Sequence, residues 1–263
     1  MDGNPGPGKR VRYPLPGQQG DLHSTVYLPP EWRAGRRYPV LFEFTGNFFP
    51  RSGSTGRVDG AALGYGFAAG QGFLWVVLPF VETGGATEAV TWWGDEEATV
   101  AYAKAMVERI CTDVGGDRRN LFLCGFSRGA IAVNYIGLHD DAIASLWRGL
   151  ISHDHYDGQK AWGTLPWGSP LASYRQKAGE RLARLKGTKI LIMQNESTKH
   201  IAEYLGDRIK IADFTFLDVP IAALYPFIPD DFIVHAHTDR WMYLEGKERE
   251  AARGWLISHL APH

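Results

Sequence analysis

Six short apolar runs, at 38–45, 73–79, 120–125, 147–153, 188–194 and 212–219, recur along the chain with longer segments between them. Each is rich in branched and aromatic residues, the composition of strands buried on both faces. The segments between them carry the helical period. In 95–115 the apolar residues Val100, Ala103, Val107, Ile110 and Val114 fall three and four apart, Asp95 stands where an N-cap belongs, and Gly115 stands where a helix can end. Further helices are expected at 173–186, 198–205 and 247–260. Such alternation predicts an α/β architecture, a mostly parallel sheet covered by helices on both faces. Ahead of it, 9–15 and 22–30 flank a Gly/Pro-rich turn and predict an antiparallel pair, which brings the sheet to about eight strands.

A chain of 263 residues, 44% of them hydrophobic, can bury a large core, and we expect one domain over 11–263. The irregular stretch 154–172, with Trp162, Pro166, Trp167 and Pro170, is expected to form a small cap over one sheet edge. The Gly/Pro-rich segment 1–10 is expected to be disordered. With 28 basic and 29 acidic side chains, no global field draws the protein to nucleic acid or to an anionic membrane. The longest apolar run, 73–81, is far short of the roughly 20 residues that span a bilayer. No charged-then-apolar leader opens the chain, so a cytoplasmic protein and a secreted one with its leader removed are both compatible with it. Cys111 and Cys124 supply neither a disulfide framework nor a metal-ligand spacing, and buried thiols are expected.

Gly125-Phe126-Ser127-Arg128-Gly129 fits G-x-S-x-G. With 31 glycines in the chain, a chance match is not rare, so the context has to decide. The motif follows an apolar strand and opens an apolar helix, the strand–turn–helix setting in which a serine is held on a tight turn. Glycines are needed there because a neighbouring Cβ would collide with the approaching chains. The hydroxyl then stands above the carboxyl ends of the strands, with the Arg128 amide and the helix N-terminus aimed at the same place.

In the order of its elements and in this motif, most of the chain resembles the α/β-hydrolase superfamily, specifically its serine carboxylesterases. The resemblance implies the α/β-hydrolase fold, a serine nucleophile at Ser127, and a later acid and histidine in that order. It also implies an oxyanion loop after the third strand, here Thr45-Gly46-Asn47 where the family usually has His-Gly or Pro-Gly. The amides of Asn47 and Arg128 are the candidate donors. For the base, His237 is expected, with His235 as the alternative, since both precede the C-terminal helix. For the acid, the family's usual place after the seventh strand offers Glu196; placement after the preceding strand would give Asp157 or Asp154. Phe48, Trp93, Phe126 and Trp241, in or beside loops at the carboxyl edge of the sheet, are expected to bind substrate, with other loop aromatics such as Phe49, Trp92 and Trp162 divided between pocket and core. The implied activity is hydrolysis of a small-molecule, carbohydrate or aromatic ester through an acyl-enzyme, with no cofactor.

Two rival readings come from other classes. His153-x-His155-x-Asp157 and His235-x-His237-x-Asp239 fit H-x-H-x-D, which resembles the ligand core of metallo-β-lactamase-type hydrolases, although Gly158 and Arg240 follow where that family has a histidine. A non-catalytic binding module on the same fold is the other rival, but it has no need of a serine, a histidine and an acid together. Residues 63–69 contain G-x-G-x-x-A before a strand and not after one, so a dinucleotide site is not expected.

Overall fold

The computed structural model describes residues 1–50, 53–162, 171–226 and 237–262. Among the described residues the strands run in the order β1 (Lys9–Tyr13), β2 (Ser24–Leu28), β3 (Tyr38–Phe44), β4 (Phe48–Phe49), β5 (Ser54–Thr55), β6 (Leu74–Leu78), β7 (Gly116–Phe126), β8 (Gly149–His153), β9 (Lys189–Asn195) and β10 (Asp213–Val219). Helices are α1 (Leu63–Ala68), α2 (Glu96–Asp113), α3 (Arg128–Tyr135), α4 (Asp141–Ala144), α5 (Leu171–Gln176), α6 (Ala178–Leu182), α7 (Lys199–Leu205), α8 (Ile221–Leu224) and α9 (Lys247–Ser258).

Eight strands form one sheet in the order β1-β2-β6-β3-β7-β8-β9-β10, and β4 with β5 makes a separate hairpin. β2 pairs antiparallel with β1 and β6, whereas every pairing from β6 to β10 is parallel. Pro39 lies within central β3, where a residue without an N–H would break the ladder; the pairing with β7 shifts register between Tyr38 and Val40, so the proline sits at the irregularity. Alternation along the strands builds two cores. Val40, Phe42 and Phe44 join the first, with Val100, Val107 and Ile110 of α2 and Ile131 and Val133 of α3. Leu41, Trp75 and Met193 face the other way, onto Leu63 and Phe67 of α1 and Trp255 and Leu256 of α9.

The expected caps of α2 are in place: the Asp95 carboxylate accepts from the Ala98 amide at 2.9 Å, and Gly115, just past the helix, has φ +84°. The stretch 173–186 is broken into α5, α6 and a 3₁₀ turn. β10 departs from the expectation of a strand buried on both faces. Among the described residues it has a neighbouring strand on one side only, and most of its side chains are partly exposed. The start of the chain departs too. Lys9 and Arg10, inside the stretch expected to be disordered, belong to β1, and the Gly8 amide donates to the Leu28 carbonyl. Of the expected cap, 163–170, which includes Pro166, Trp167 and Pro170, lies outside the described residues. Among the described residues no helix is long and apolar enough to cross a membrane.

Candidate active site

Ser127 stands at the junction of β7 and α3 with φ +58° and ψ −119°, a backbone conformation that costs a non-glycine residue of order 1–3 kcal/mol. The flanking glycines explain how the turn closes. A Cβ on Gly125 would come within 2.2 Å of the Gly129 carbonyl, and one on Gly129 within 1.9 Å of the Phe44 carbonyl oxygen. Neither position has room for a side chain, because α3 is pressed against the ends of β7 and β3. The Ser127 amide donates to the His153 carbonyl at the end of β8, which fixes the turn to the neighbouring strand.

Three side chains from three separate segments meet here. His237 Nε2 lies 2.9 Å from Ser127 Oγ, and its Nδ1 forms a short hydrogen bond to Asp154 Oδ2. Asp154 follows β8 directly and has φ +65°, which ends the regular alternation of the strand at this residue. Asn195, at the end of adjacent β9, donates to it twice, from its backbone amide at 3.2 Å and from Nδ2 at 3.1 Å. Burial pushes the Asp154 carboxyl up, but the hydrogen bond from His237, followed by the positive charge His153 and His237 can carry, more than offsets this and holds it below the usual carboxylate range. The His237 ring lies against Phe126, with centroids 4.6 Å apart, and against His155, at 5.1 Å and an interplanar angle of 29°.

The two carboxylates expected at this place are elsewhere. Glu196 is exposed at the end of β9, where its Oε1 accepts from the Ala222 amide at 2.9 Å and so caps α8. Asp157 is fully buried and makes a two-point ion pair with Arg181 of α6, at 2.6 and 2.9 Å. His235 lies outside the described residues.

Beside Ser127 is an open cleft of about 250 Å³. Gly46, Asn47, Phe48, Trp92, Phe126 and Trp162 are among its lining residues, and Phe49 and His155 also face it. Phe48 and Phe126 therefore stand where substrate contact was expected, but Trp93 and Trp241 do not. Trp93 is completely buried among Phe80, Trp92 and Tyr135. Trp241, 1% exposed, donates from its indole to His153 Nε2 at 2.8 Å. That bond makes Nε2 of His153 the acceptor, so the neutral ring carries its proton on Nδ1; burial holds this histidine down to about 4. Burial, and after it the charge of His237, pushes His155 down to about 3. Trp92, at φ +44°, packs its ring against that of Trp93 at 5.5 Å and lies behind the cleft wall at 1% exposure, and nothing in the sequence distinguishes the two.

The first H-x-H-x-D segment is dispersed. β8 ends at His153, so the alternation that would align His155 with it is broken at Asp154, while Asp157 is taken by Arg181. Among the described residues no group of three or more His, Cys, Asp or Glu is placed to hold a metal ion. The amides of Asn47 and Arg128 flank the cleft, and among the described residues neither donates a hydrogen bond. Arg128 is the first residue of α3, where an N–H has no partner within the helix.

No protein-family model matches the sequence, and no curated protein does. Solved structures are similar in fold. They include a thermostable esterase (TM-score 0.55, 11% identity, covering 95% of this chain and 62% of that one) and a puromycin hydrolase (0.59, 14%, 96% and 39%). A fungal esterase structure from Rhizomucor miehei matches at TM-score 0.56 and 14% identity, over 96% of this chain and 82% of that one. The chain thus spans less than two thirds of the length of the first two. With this strand order and helices on both faces of the sheet, the protein has the α/β-hydrolase fold.

Proposed function

We propose that the protein is a serine hydrolase that cleaves carboxylic esters through an acyl-enzyme. One observation carries the reading: His237 touches Ser127 Oγ through one ring nitrogen and Asp154 through the other. With its Nδ1 proton held by Asp154, His237 presents a bare Nε2 to the serine hydroxyl. Ser127 Oγ attacks the ester carbonyl carbon as its proton passes to Nε2, and the carbonyl oxygen takes the negative charge. The Asn47 and Arg128 amides, on residues that line the cleft, are the donors that stabilise it. As the tetrahedral species collapses, His237 returns the proton to the departing alkoxide and leaves the acyl group on Ser127. Water repeats the sequence to release the acid. Throughout, Asp154 stays ionised and stabilises the imidazolium.

The aromatic walls of the cleft favour an apolar or aromatic group on the substrate, set against Phe48, Phe126 and Trp162. The test is labelling by a fluorophosphonate together with a panel of p-nitrophenyl esters of graded acyl length and matched anilides. We expect one adduct per chain on Ser127, none in Ser127→Ala, and turnover of esters well above that of anilides. Labelling without ester turnover, or anilide turnover equal to ester turnover, would move the substrate class; no labelling would remove the serine mechanism.

A further inference from the structure

Arg128 is 1% exposed, yet among the described residues no carboxylate forms an ion pair with it. Glu88, whose charge reaches it, is already bonded to Arg57 and to the Val58 amide. The guanidinium instead donates to oxygens of three loops. Nη1 donates to the Ala89 and Trp92 carbonyls at 3.0 and 2.7 Å. Nη2 donates to the Gly46 and Gly56 carbonyls at 2.9 and 3.0 Å and to Thr45 Oγ1 at 3.1 Å, and Nε lies 3.4 Å from the Thr45 carbonyl. Its flat face covers the Phe80 ring at 4.0 Å. All five N–H groups are used, which only a planar fork can do here; a lysine has three donors and no plane. Burying a cation with no anion is unfavourable, and an apolar side chain of the same length would fill the space more cheaply.

The three loops held in this way are those that line the Ser127 cleft, and one of the bonds bears on the chemistry directly. In a trans peptide the C=O of one residue and the N–H of the next point in opposite directions. Drawing the Gly46 carbonyl onto Arg128 therefore turns the Asn47 N–H away from the guanidinium, toward the open side of the loop. Gly46 gives this peptide freedom to rotate. A Cβ there would meet nothing closer than Ser127 Cβ at 3.5 Å, so space does not demand a glycine and sterics do not hold the plane. The same side chain fixes the Trp92 carbonyl, and the Trp92 amide in turn donates to Asn47 Oδ1 at 2.8 Å, which ties Asn47 at both ends.

We propose that Arg128 is a positioning residue: its buried guanidinium, bound to the carbonyls of Gly46, Gly56, Ala89 and Trp92, sets the orientation of the Gly46–Asn47 peptide and so keeps the Asn47 N–H directed at the oxyanion that forms on a Ser127-bound substrate. This rests on the reading of Ser127 as nucleophile. The test compares Arg128→Met and Arg128→Lys with the unaltered chain, with kcat and KM for p-nitrophenyl acetate measured per serine titrated by a fluorophosphonate. Affinity for a trifluoromethyl ketone, whose serine adduct carries the oxyanion, is measured alongside. We expect kcat of Arg128→Met to fall about 10²–10³-fold, as on losing one oxyanion donor. KM should stay within about threefold, and ketone affinity should fall in step with kcat/KM. Arg128→Lys, which keeps the charge but not the fork, should fall between. A residue that only packs would lower the melting temperature and the titratable fraction but leave kcat per titrated serine unchanged, and that result in either variant overturns the proposal. Should the Met variant fail to fold, the Lys variant decides by the same criterion. A crystal structure of the variant is the arm that does not depend on activity: a rotated Gly46–Asn47 peptide is expected, and an unmoved one counts against the proposal. Absence of serine labelling in the unaltered chain would instead strike the nucleophile reading, and the peptide orientation would then decide alone.

Discussion

The serine turn at 125–129 and the loop at 154–157 both follow parallel strands, β7 and β8, and each brings one side chain to His237, yet they are built by opposite means. The serine turn is specified locally. Its two glycines answer clashes with atoms a few residues away or on the adjoining strand, and the apolar strand before it and apolar helix after it are visible in the sequence. The 154–157 loop is specified by its surroundings. It holds two aspartates three residues apart, one bonded to His237 and steadied by Asn195, the other sealed against Arg181. Position in the chain does not tell them apart; the neighbours that β9 and α6 bring to them do.

The largest effect that would break this comparison is at the serine turn itself. Ser127→Ala should lower kcat for a p-nitrophenyl ester by roughly 10⁵–10⁶ while the chain melts near the unaltered temperature, since losing one member of such a unit costs about as much as losing all. Turnover close to normal would detach Ser127 from the chemistry. By contrast Gly129→Ala should fail to fold or melt far lower, because its Cβ would overlap the Phe44 carbonyl oxygen; circular dichroism would show it.

In the loop, the two aspartates should respond in opposite ways. Asp154→Asn should cost roughly 10⁴ in kcat with little change in stability. Asp157→Asn should cost about 3–5 kcal/mol of stability by stranding the buried Arg181, with kcat per folded molecule nearly unchanged. Denaturant unfolding beside steady-state kinetics separates the two, and a stable, inactive Asp157→Asn would reverse the assignment. Glu196→Gln, which loses only an exposed cap to a short helix, should change stability by about 1 kcal/mol or less.

An effect on the pH dependence of stability follows from His153. Its folded pKa, about 4, lies below the unfolded value near 6.5, so the folded state takes up fewer protons between them. The associated stability is fully present above pH 6.5 and is lost as pH falls toward 4, an amount of about 3 kcal/mol. Unfolding free energies measured at pH 7 and pH 4.5 should differ in that direction, and a His153→Gln chain should show a flatter profile. Smallest of all, Phe48→Ala at the exposed cleft wall should raise KM for longer acyl chains by about tenfold or less with kcat nearly constant.

How much was legible follows the same division. The strand–helix alternation, the caps of α2 and the strand–turn–helix pattern around Ser127 are carried by residues close in sequence, and the structure has them where the sequence implied. What escaped depends on which strands become neighbours and how single residues turn. Glu196 sits where the resemblance placed the acid, but here that position is an Asn195-Glu196 pair: the asparagine donates to the Asp154 carboxylate from the preceding strand, and the glutamate, at φ +69°, points to α8. Trp93 and Trp241 were expected in the cleft because they sit beside loops; a large indole at the root of a loop gains more by burial than by exposure, and both turned inward.

The most direct test of the account is the rate at which a fluorophosphonate labels Ser127 in the unaltered chain, in Asp154→Asn and in Glu196→Gln, followed by intact mass. The reagent needs an activated serine but no particular acyl pocket, so the rate reports the relay through His237 alone. We predict that Asp154→Asn slows labelling by roughly 10³–10⁴ while Glu196→Gln stays within about threefold of the unaltered chain. Slow labelling in Glu196→Gln with an unchanged rate in Asp154→Asn would contradict the account and return the acid to β9.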